Sequence, residues 1–349
     1  MSSFRHVNAR TVEEACALLE AHGPKARLNA GGTDLLGAVR DGIVLEPPEL
    51  LVNLKTIPGL DGIRDEGGGL VLGALTRLSR LQEAPVVREK YLLVAEAARS
   101  VGTPQLRNMG TLGGNLCQEV RCWYYRYPNH VGGAISCLRK GKGPCLAVKG
   151  DSRYHAILGG KGCFAASPSD LATALVALDA VLRVRGSGGE REIPLRDFYT
   201  PLGTVLAPAE VVTEVRIPAL AAGARQTFLK FTVRKPVDFA LVSVAAVLRA
   251  EGGVCAEARL ALGAVSPVPV RAVAAEEALV GKPLDEASAE LAAAAAVAKA
   301  RPLAQSAYKV EITKALVKRA VWSEAEGPCA QSLPEGVAQG GDVCAGSRG

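Results

Sequence analysis

The stretch from Gly110 to Asp170 restricts this chain more than any other. It opens on Gly110-Thr111-Leu112-Gly113-Gly114-Asn115 and then gathers five of the nine cysteines, at positions 117, 122, 137, 145 and 163. His130 and His155, two of the four histidines, lie inside it as well. Glycine clusters at 132–133, 141–143 and 159–162 give it the chemistry of loops rather than the periodic apolar face of a core element. Such a segment must lean on its neighbours, and its residue types suit metal, redox or phosphate chemistry.

Those neighbours are legible in order. Thr11 and Glu14 have capping-box spacing, and Ala15, Leu18, Leu19 and Ala21 continue a helix that Gly23-Pro24 ends. A strand over 27–30 then meets Gly31-Gly32-Thr33-Asp34, with a helix starting at Leu35. This junction exposes unpaired N–H groups, lets a phosphate approach without a Cβ in the way, and aims a helix N-terminus at it. Strands over 51–54 and 69–73 alternate with helices over 76–82 and 91–101, which implies a layered α and β domain. The turn at 110–115 repeats the device, with Thr111 and Asn115 beside bare backbone. Two such turns suit a long, doubly phosphorylated cofactor that needs several donor loops.

Beyond the cysteines, Ser167-Pro168-Ser169-Asp170 starts a strongly apolar helix, in which Ser or Asp serves as the cap. A hairpin follows at 181–194, and its glycine turn marks a subdomain boundary. Strands over 240–248 and 255–263 pair across Gly252-Gly253, and alanine-rich helices span 289–299 and 308–322. Cys16 and Cys255 read as small apolar fillers. The glycine-rich end from 327, with Cys329 and Cys344, reads as a disordered tail.

Composition excludes several function classes. A chain of 349 residues, 48% apolar and 22% charged, can build two or three cored domains. The net charge of +6 comes from 41 basic and 35 acidic residues with no basic block interleaved with aromatics, so nucleic-acid binding is not expected. A docking surface for an acidic partner fits that balance. No apolar run reaches the ~18 residues that span a bilayer, and the first residues lack a secretory apolar region. An odd number of cysteines suits a reducing compartment, and the expected location is cytoplasmic.

The four later cysteines are spaced Cys122-x14-Cys137-x7-Cys145-x17-Cys163, without the short gaps of zinc knuckles. Four thiolates on loops can hold an iron–sulfur cluster. Arg121, Arg126, Arg139, Lys140 and Lys142 would offset its negative charge, and Trp123, Tyr124, Tyr125 and Tyr127 would shield it. Buried free cysteines and a redox-inactive zinc scaffold are the alternatives, and an autonomous flavin oxidase is a third class. No paired carboxylates or Ser/His/Asp arrangement stands out as a catalytic group.

Asn29-Ala-Gly-Gly-Thr-Asp-Leu-Leu36, Gln105-x-Arg-Asn-x-Gly-Thr-x-Gly-Gly-Asn115 and Pro168-Ser-Asp170 together resemble the FAD-binding medium subunit of the xanthine dehydrogenase family of molybdenum hydroxylases. Segments 210–218 and 228–240 resemble later signatures of that family. The cysteine-bearing insertion narrows the likeness to members that add a 4Fe-4S cluster, as in the aldehyde oxidoreductase and 4-hydroxybenzoyl-CoA reductase branches. The reductase branch takes its last cysteine nearer the third, where this chain has Ser152, Arg153 and Tyr154. Cys163 therefore suits the aldehyde oxidoreductase branch, with Cys117 in reserve.

The resemblance implies an α+β architecture: a two-subdomain FAD-binding fold of the vanillyl-alcohol oxidase-like (PCMH) type, followed by an antiparallel sheet with a helical bundle. The expected units are 1–56, 57–186 with the inserted loop at about 117–165, 190–324, and a flexible tail over 325–349. Leu28, Asn29, Ala30, Gly31, Gly32, Thr33, Asp34 and Leu35 would wrap the FAD pyrophosphate, while Thr111, Gly113, Gly114 and Asn115 lie along the phosphate and flavin side. Asp170 would meet the ribityl or adenosine portion, and Val212 and Lys230 would line the flavin region. Cys122, Cys137, Cys145 and Cys163 would hold the 4Fe-4S cluster. The implied partners are a molybdenum-cofactor large subunit, a 2Fe-2S small subunit and a small-molecule electron acceptor.

Overall fold

The computed structural model describes residues 3–322 apart from 45 and 236. Its first unit grows on a parallel sheet in which Arg5–Asn8 and Ala26–Asn29 flank Leu50–Asn53. The central strand is buried throughout, as the continuous apolar run Leu50-Leu51-Val52 requires. Helix Val12–His22 turns Ala15, Cys16 and Leu19 inward. Thr11 Oγ1 accepts from the Glu14 N–H at 3.1 Å, and the Glu14 carboxylate accepts from Arg10 N at 2.7 Å, so the reciprocal bond falls one residue before the cap.

A five-stranded antiparallel sheet follows, in the order Ile63–Asp65, Gly69–Gly73, Val211–Pro218, Val181–Gly186, Gly189–Pro194. The boundary expected at 186–190 thus falls inside a hairpin, and the sheet takes its central strand from farther along the chain. The third sheet is antiparallel too, in the order Arg225–Phe231, Val242–Glu251, Val254–Gly263, Val270–Arg271. Gly252 and Gly253 make its tight turn at φ 58° and 82°. Helices Val273–Leu279, Glu286–Val297 and Tyr308–Val321 cover it around a core that includes Val244, Leu260, Leu279 and Val317.

Helix Asp170–Ala177 is buried on every side because it lies between these two sheets, sharing a core with Leu182, Val215, Ala245 and Ala261. This explains why it is apolar all round rather than striped. Among the described residues no helix is long and apolar enough to cross a membrane. The expected tail, with Cys329 and Cys344, lies outside the described residues.

The insertion holds only short helical turns, at Asn129–Gly132, Leu138–Lys140 and Leu146–Val148. Its order is imposed from outside. Ser152 N donates to Gln305 Oε1 at 2.9 Å, and Gln305 N donates back to Ser152 Oγ at 3.2 Å. Tyr308 Oη donates to the Arg153 carbonyl, and the Ile157 and Leu158 amides donate to Val265 O. Lys309, fully buried, donates from Nζ to the carbonyls of His155 at 3.2 Å and Ala264 at 2.6 Å.

No carboxylate among the described residues pairs with Lys309, and burial pulls its pKa from 10.5 down to about 7. Between about pH 7 and 10.5 the unfolded chain therefore binds more protons at this site than the folded one, so stability from this group rises with pH across that window and is flat below it. Lys309→Met removes the titration. Thermal melts are expected to show the gap between the proteins moving in favour of the wild type as pH is raised from 7 to 10; a pH-independent gap would contradict this.

Candidate functional site

A cleft of about 410 Å³ opens where the three units meet. Leu28, Ala30, Gly31, Gly32, Thr33, Asp34 and Leu35 form one wall, Thr111, Gly113, Gly114 and Asn115 a second, and Asp170, Val212 and Lys230 a third. Of the residues expected at the cofactor, Asn29 alone does not line it. Asn29 lies beneath the turn, and its buried Oδ1 has no partner among the described residues.

The two glycine turns touch backbone to backbone. A Cβ on Gly31 would sit 2.2 Å from the Met109 carbonyl oxygen and 3.0 Å from Gly110 Cα, so no side chain fits there. Gly32 is left-handed at φ 73°. Among the described residues, the N–H groups of Gly32, Thr33 and Asp34 donate to no protein acceptor. They form a cradle of spare donors, the arrangement that suits a phosphate.

On the second turn Thr111 Oγ1 accepts from Gly114 N at 3.3 Å, and Gly113 N donates to Ala74 O at 2.7 Å. Asn115 Oδ1 accepts from Ser169 Oγ at 2.6 Å, and Ser169 in turn caps its helix through Ala172 N at 3.0 Å. Thr111 and Asn115 Oδ1 are thus engaged in shaping the loop, while the Asn115 amide nitrogen has no protein partner among the described residues.

Ser169 is the cap, which releases Asp170. Its Oδ2 accepts from Lys230 Nζ at 2.6 Å and from Ser100 Oγ at 3.2 Å, and Lys230 also donates to Ser100 O at 2.8 Å. Burial raises the Asp170 carboxyl, against the pull of Lys230 and Ser100. Val212 arrives at the wall through a bulge in the strand pairing between Val212 and Glu214, which re-aims the chain locally.

Asp34 behaves differently from the rest of its turn. Its Oδ1 accepts from Arg121 at 2.8 Å and Arg126 at 2.7 Å, and its Oδ2 from Glu119 N at 3.0 Å. Burial works to raise the Asp34 carboxyl, but the two guanidiniums outweigh it and hold it below the usual range. Arg121 also lies over the Phe239 ring at 4.5 Å, so the root of the insertion, the first glycine turn and the third unit meet here. Phe239 is a cleft residue that sequence reading did not select, although it stands inside the 228–240 signature.

A second hollow, about 20 Å³, is lined by Cys122, Cys137, Cys145 and Cys163 together with Tyr124, Tyr125 and Leu138. The loops from Cys122 to Cys163 have therefore brought all four expected thiols to one place. Cys117 is not among them: it lines the large cleft, exposed on its wall. No three His, Cys, Asp or Glu side chains among the described residues converge tightly enough for a single metal ion.

Burial also raises Cys122, to about 11, although the backbone N–H groups of Tyr125 and Tyr124 bond to its sulfur. His155 Nε2 lies 3.3 Å from Cys122 Sγ, while its buried Nδ1 has no partner among the described residues. Burial, then nearby Lys309, lowers His155 to about 4, so the ring is neutral at pH 7. Arg139 and Lys140, both with little exposure, approach the Tyr125 ring at 5.7 and 5.9 Å.

Residues 2–220 match the family model described as the FAD binding domain in molybdopterin dehydrogenase, and residues 227–323 match the CO dehydrogenase flavoprotein C-terminal domain. The aldehyde oxidoreductase FAD-binding subunit PaoB of Escherichia coli is 35% identical, over 90% of this chain and 96% of that one. The carbon monoxide dehydrogenase medium chain of Hydrogenophaga pseudoflava is 30% identical, over 91% and 96%. A solved carbon monoxide dehydrogenase chain from that organism superposes with a TM-score of 0.73 at 32% identity, covering 92% and 96%. Quinoline 2-oxidoreductase from Pseudomonas putida gives 0.71 at 27% identity, with the same coverage. The donor cradle, the antiparallel C-terminal sheet with its helices and these matches converge: the chain belongs to the FAD-binding medium subunits of the xanthine dehydrogenase and CO dehydrogenase family, oxidoreductases of the molybdenum hydroxylase type.

Proposed function

We propose that this chain binds FAD and a 4Fe-4S cluster and serves as the electron-transfer subunit of a heteromeric molybdenum hydroxylase. The observation that carries the reading is the gathering of four thiols from one insertion around a hollow separate from the flavin cleft. Four thiols on loops around one hollow, without the short sequence gaps of zinc knuckles, suit a polynuclear centre better than zinc. Cys163 lines that hollow, while Ser152 is tied to Gln305, which favours the aldehyde oxidoreductase arrangement over the 4-hydroxybenzoyl-CoA reductase one.

In this reading the division runs 1–56, 57–218 with the insertion, and 225–322, the second boundary lying past the hairpin at the end of strand Val211–Pro218, with the cofactor between them. The free N–H groups of 32–34 bind the pyrophosphate, the Gly31 contact keeps the two turns in register, and Lys230 with Asp170 orients the sugar portion. Bound flavin supplies the exchange between one-electron centres and a two-electron acceptor. The chain's own residues bind, orient and exclude water, and none is asked to transfer a proton to a substrate. A molybdenum-cofactor large subunit would oxidise the substrate, a 2Fe-2S small subunit would relay electrons, and an external acceptor would receive them. Assembly in a reducing, cytoplasmic setting suits the free thiols.

Absorption with iron, zinc and flavin quantified together is expected to show flavin bands on a broad iron–sulfur shoulder; flavin alone or a colourless zinc protein would reject the reading. Cys163→Ser is expected to lose iron and keep flavin, whereas Cys117→Ser keeps both. Iron retained in Cys163→Ser would overturn the ligand set. Gly31→Ala, which forces a methyl group into backbone, should cost about 1–3 kcal/mol of stability and most of the flavin content. Asp34→Asn should lower iron per flavin before flavin itself, and the opposite order would make Asp34 a flavin contact first.

A further inference from the structure

Among the four thiols of the hollow, Cys122 is set apart by what faces its sulfur. The backbone N–H groups of Tyr125 and Tyr124 bond to it, and His155 Nε2 stands 3.3 Å away. Among the described residues no side-chain nitrogen makes such a contact with the sulfurs of Cys137, Cys145 or Cys163.

His155 is 2% exposed, and its neighbours hold it in place. Its N–H donates to Ser152 O at 3.0 Å, and its carbonyl accepts from Lys309 Nζ at 3.2 Å. The ring packs against Trp123 and Tyr124, with centroids 5.9 and 5.8 Å away. Those two rings are pinned in turn, because Trp123 Nε1 and Tyr124 Oη both donate to Asp151 O, at 3.2 and 3.1 Å. The imidazole has little room to turn.

The sulfur decides where the ring proton goes. A cysteine sulfur bonded to iron carries no proton and can only accept, so the nitrogen facing it must present its N–H. Nδ1 then keeps the lone pair, and it meets no partner among the described residues. An apolar side chain would fill this space without leaving a buried nitrogen unsatisfied. The polar ring therefore points to a role at the sulfur.

We propose that His155 is a positioning residue for Cys122, donating Nε2–H to its iron-bound sulfur and raising the reduction potential of the 4Fe-4S cluster. The proposal rests on the cluster reading above. One electron from the reduced flavin enters the cluster, no bond breaks, and the proton stays on Nε2. The added negative charge is shared with the ligand sulfurs, and a fixed donor stabilises it more than it stabilises the oxidised state.

The test uses the assembled complex, with cluster and flavin potentials read by redox titration followed by EPR and absorption. His155→Phe keeps a flat ring against Trp123 and Tyr124 but removes the donor. At the wild-type midpoint its ratio of oxidised to reduced cluster is expected to rise about tenfold, which is a midpoint about 59 mV lower. Iron content and the flavin potential should stay as in the wild type. His155→Gln, which retains an N–H donor, should lie closer to the wild type than His155→Phe does. An unmoved cluster midpoint in His155→Phe, an equal shift of the flavin, or a shift in His155→Gln as large as that in His155→Phe would overturn the proposal. Pulsed EPR of the reduced wild-type complex labelled with 15N-histidine needs no variant and decides the matter if His155→Phe loses iron. Weak coupling to one histidine nitrogen is expected. No coupling overturns the proposal, and strong coupling makes His155 an iron ligand and overturns it too. Wild-type complex without iron rejects the cluster reading and this proposal with it, whereas iron with an unmoved midpoint rejects the role of His155 alone.

Discussion

One carboxylate sits at the junction on which the two sites depend. Asp34 belongs to the first glycine turn, yet it spends both oxygens on the root of the insertion, accepting from Arg121, Arg126 and the Glu119 amide. Removing one partner of a fully buried pair leaves an uncompensated charge at a cost of about 3–5 kcal/mol. Asp34 is 20% exposed, so its share is smaller. Arg121 and Arg126 flank Cys122, and Arg121 reaches on to Phe239. The position of Cys122 is thereby referenced to the same turn that bears the spare N–H donors.

Much of this was legible beforehand because it follows from local chemistry. Helix 12–22, the hairpin at 181–194 and the strand pair across Gly252-Gly253 each carry their own stop and start signals. The glycine turns announced themselves by residue type, and the structure places their residues in one cleft. The central place of Val211–Pro218 in the second sheet was not legible, since nothing local says which distant strand completes a sheet. Nor could spacing show that Asp34 turns away from its own loop, or that Ser169 rather than Asp170 is the cap. Both outcomes are decided by partners about 50 to 90 residues distant, at Asn115, Arg121 and Arg126.

The cysteines illustrate the same limit from the other side. Sequence put five in one segment and could rank four of them only through a family likeness. Folding separates them physically, with Cys117 in the cleft and the other four around their own hollow. Glycine-rich loops with few internal bonds permit such sorting, because the surrounding sheets and helices choose where each thiol goes.

The bonds that fix the insertion join it to residues made about 150 positions later: Ser152 to Gln305, Arg153 to Tyr308, His155 to Lys309. A ribosome adding roughly 5–20 residues per second therefore releases the cysteines well before their clamp exists. During that interval the thiols have no architecture to hold them apart or shield them. Helix Tyr308–Val321 thus sets the earliest moment at which the cysteine hollow can close, and a nascent chain stalled or truncated before it would leave the thiols of the insertion open to oxidation.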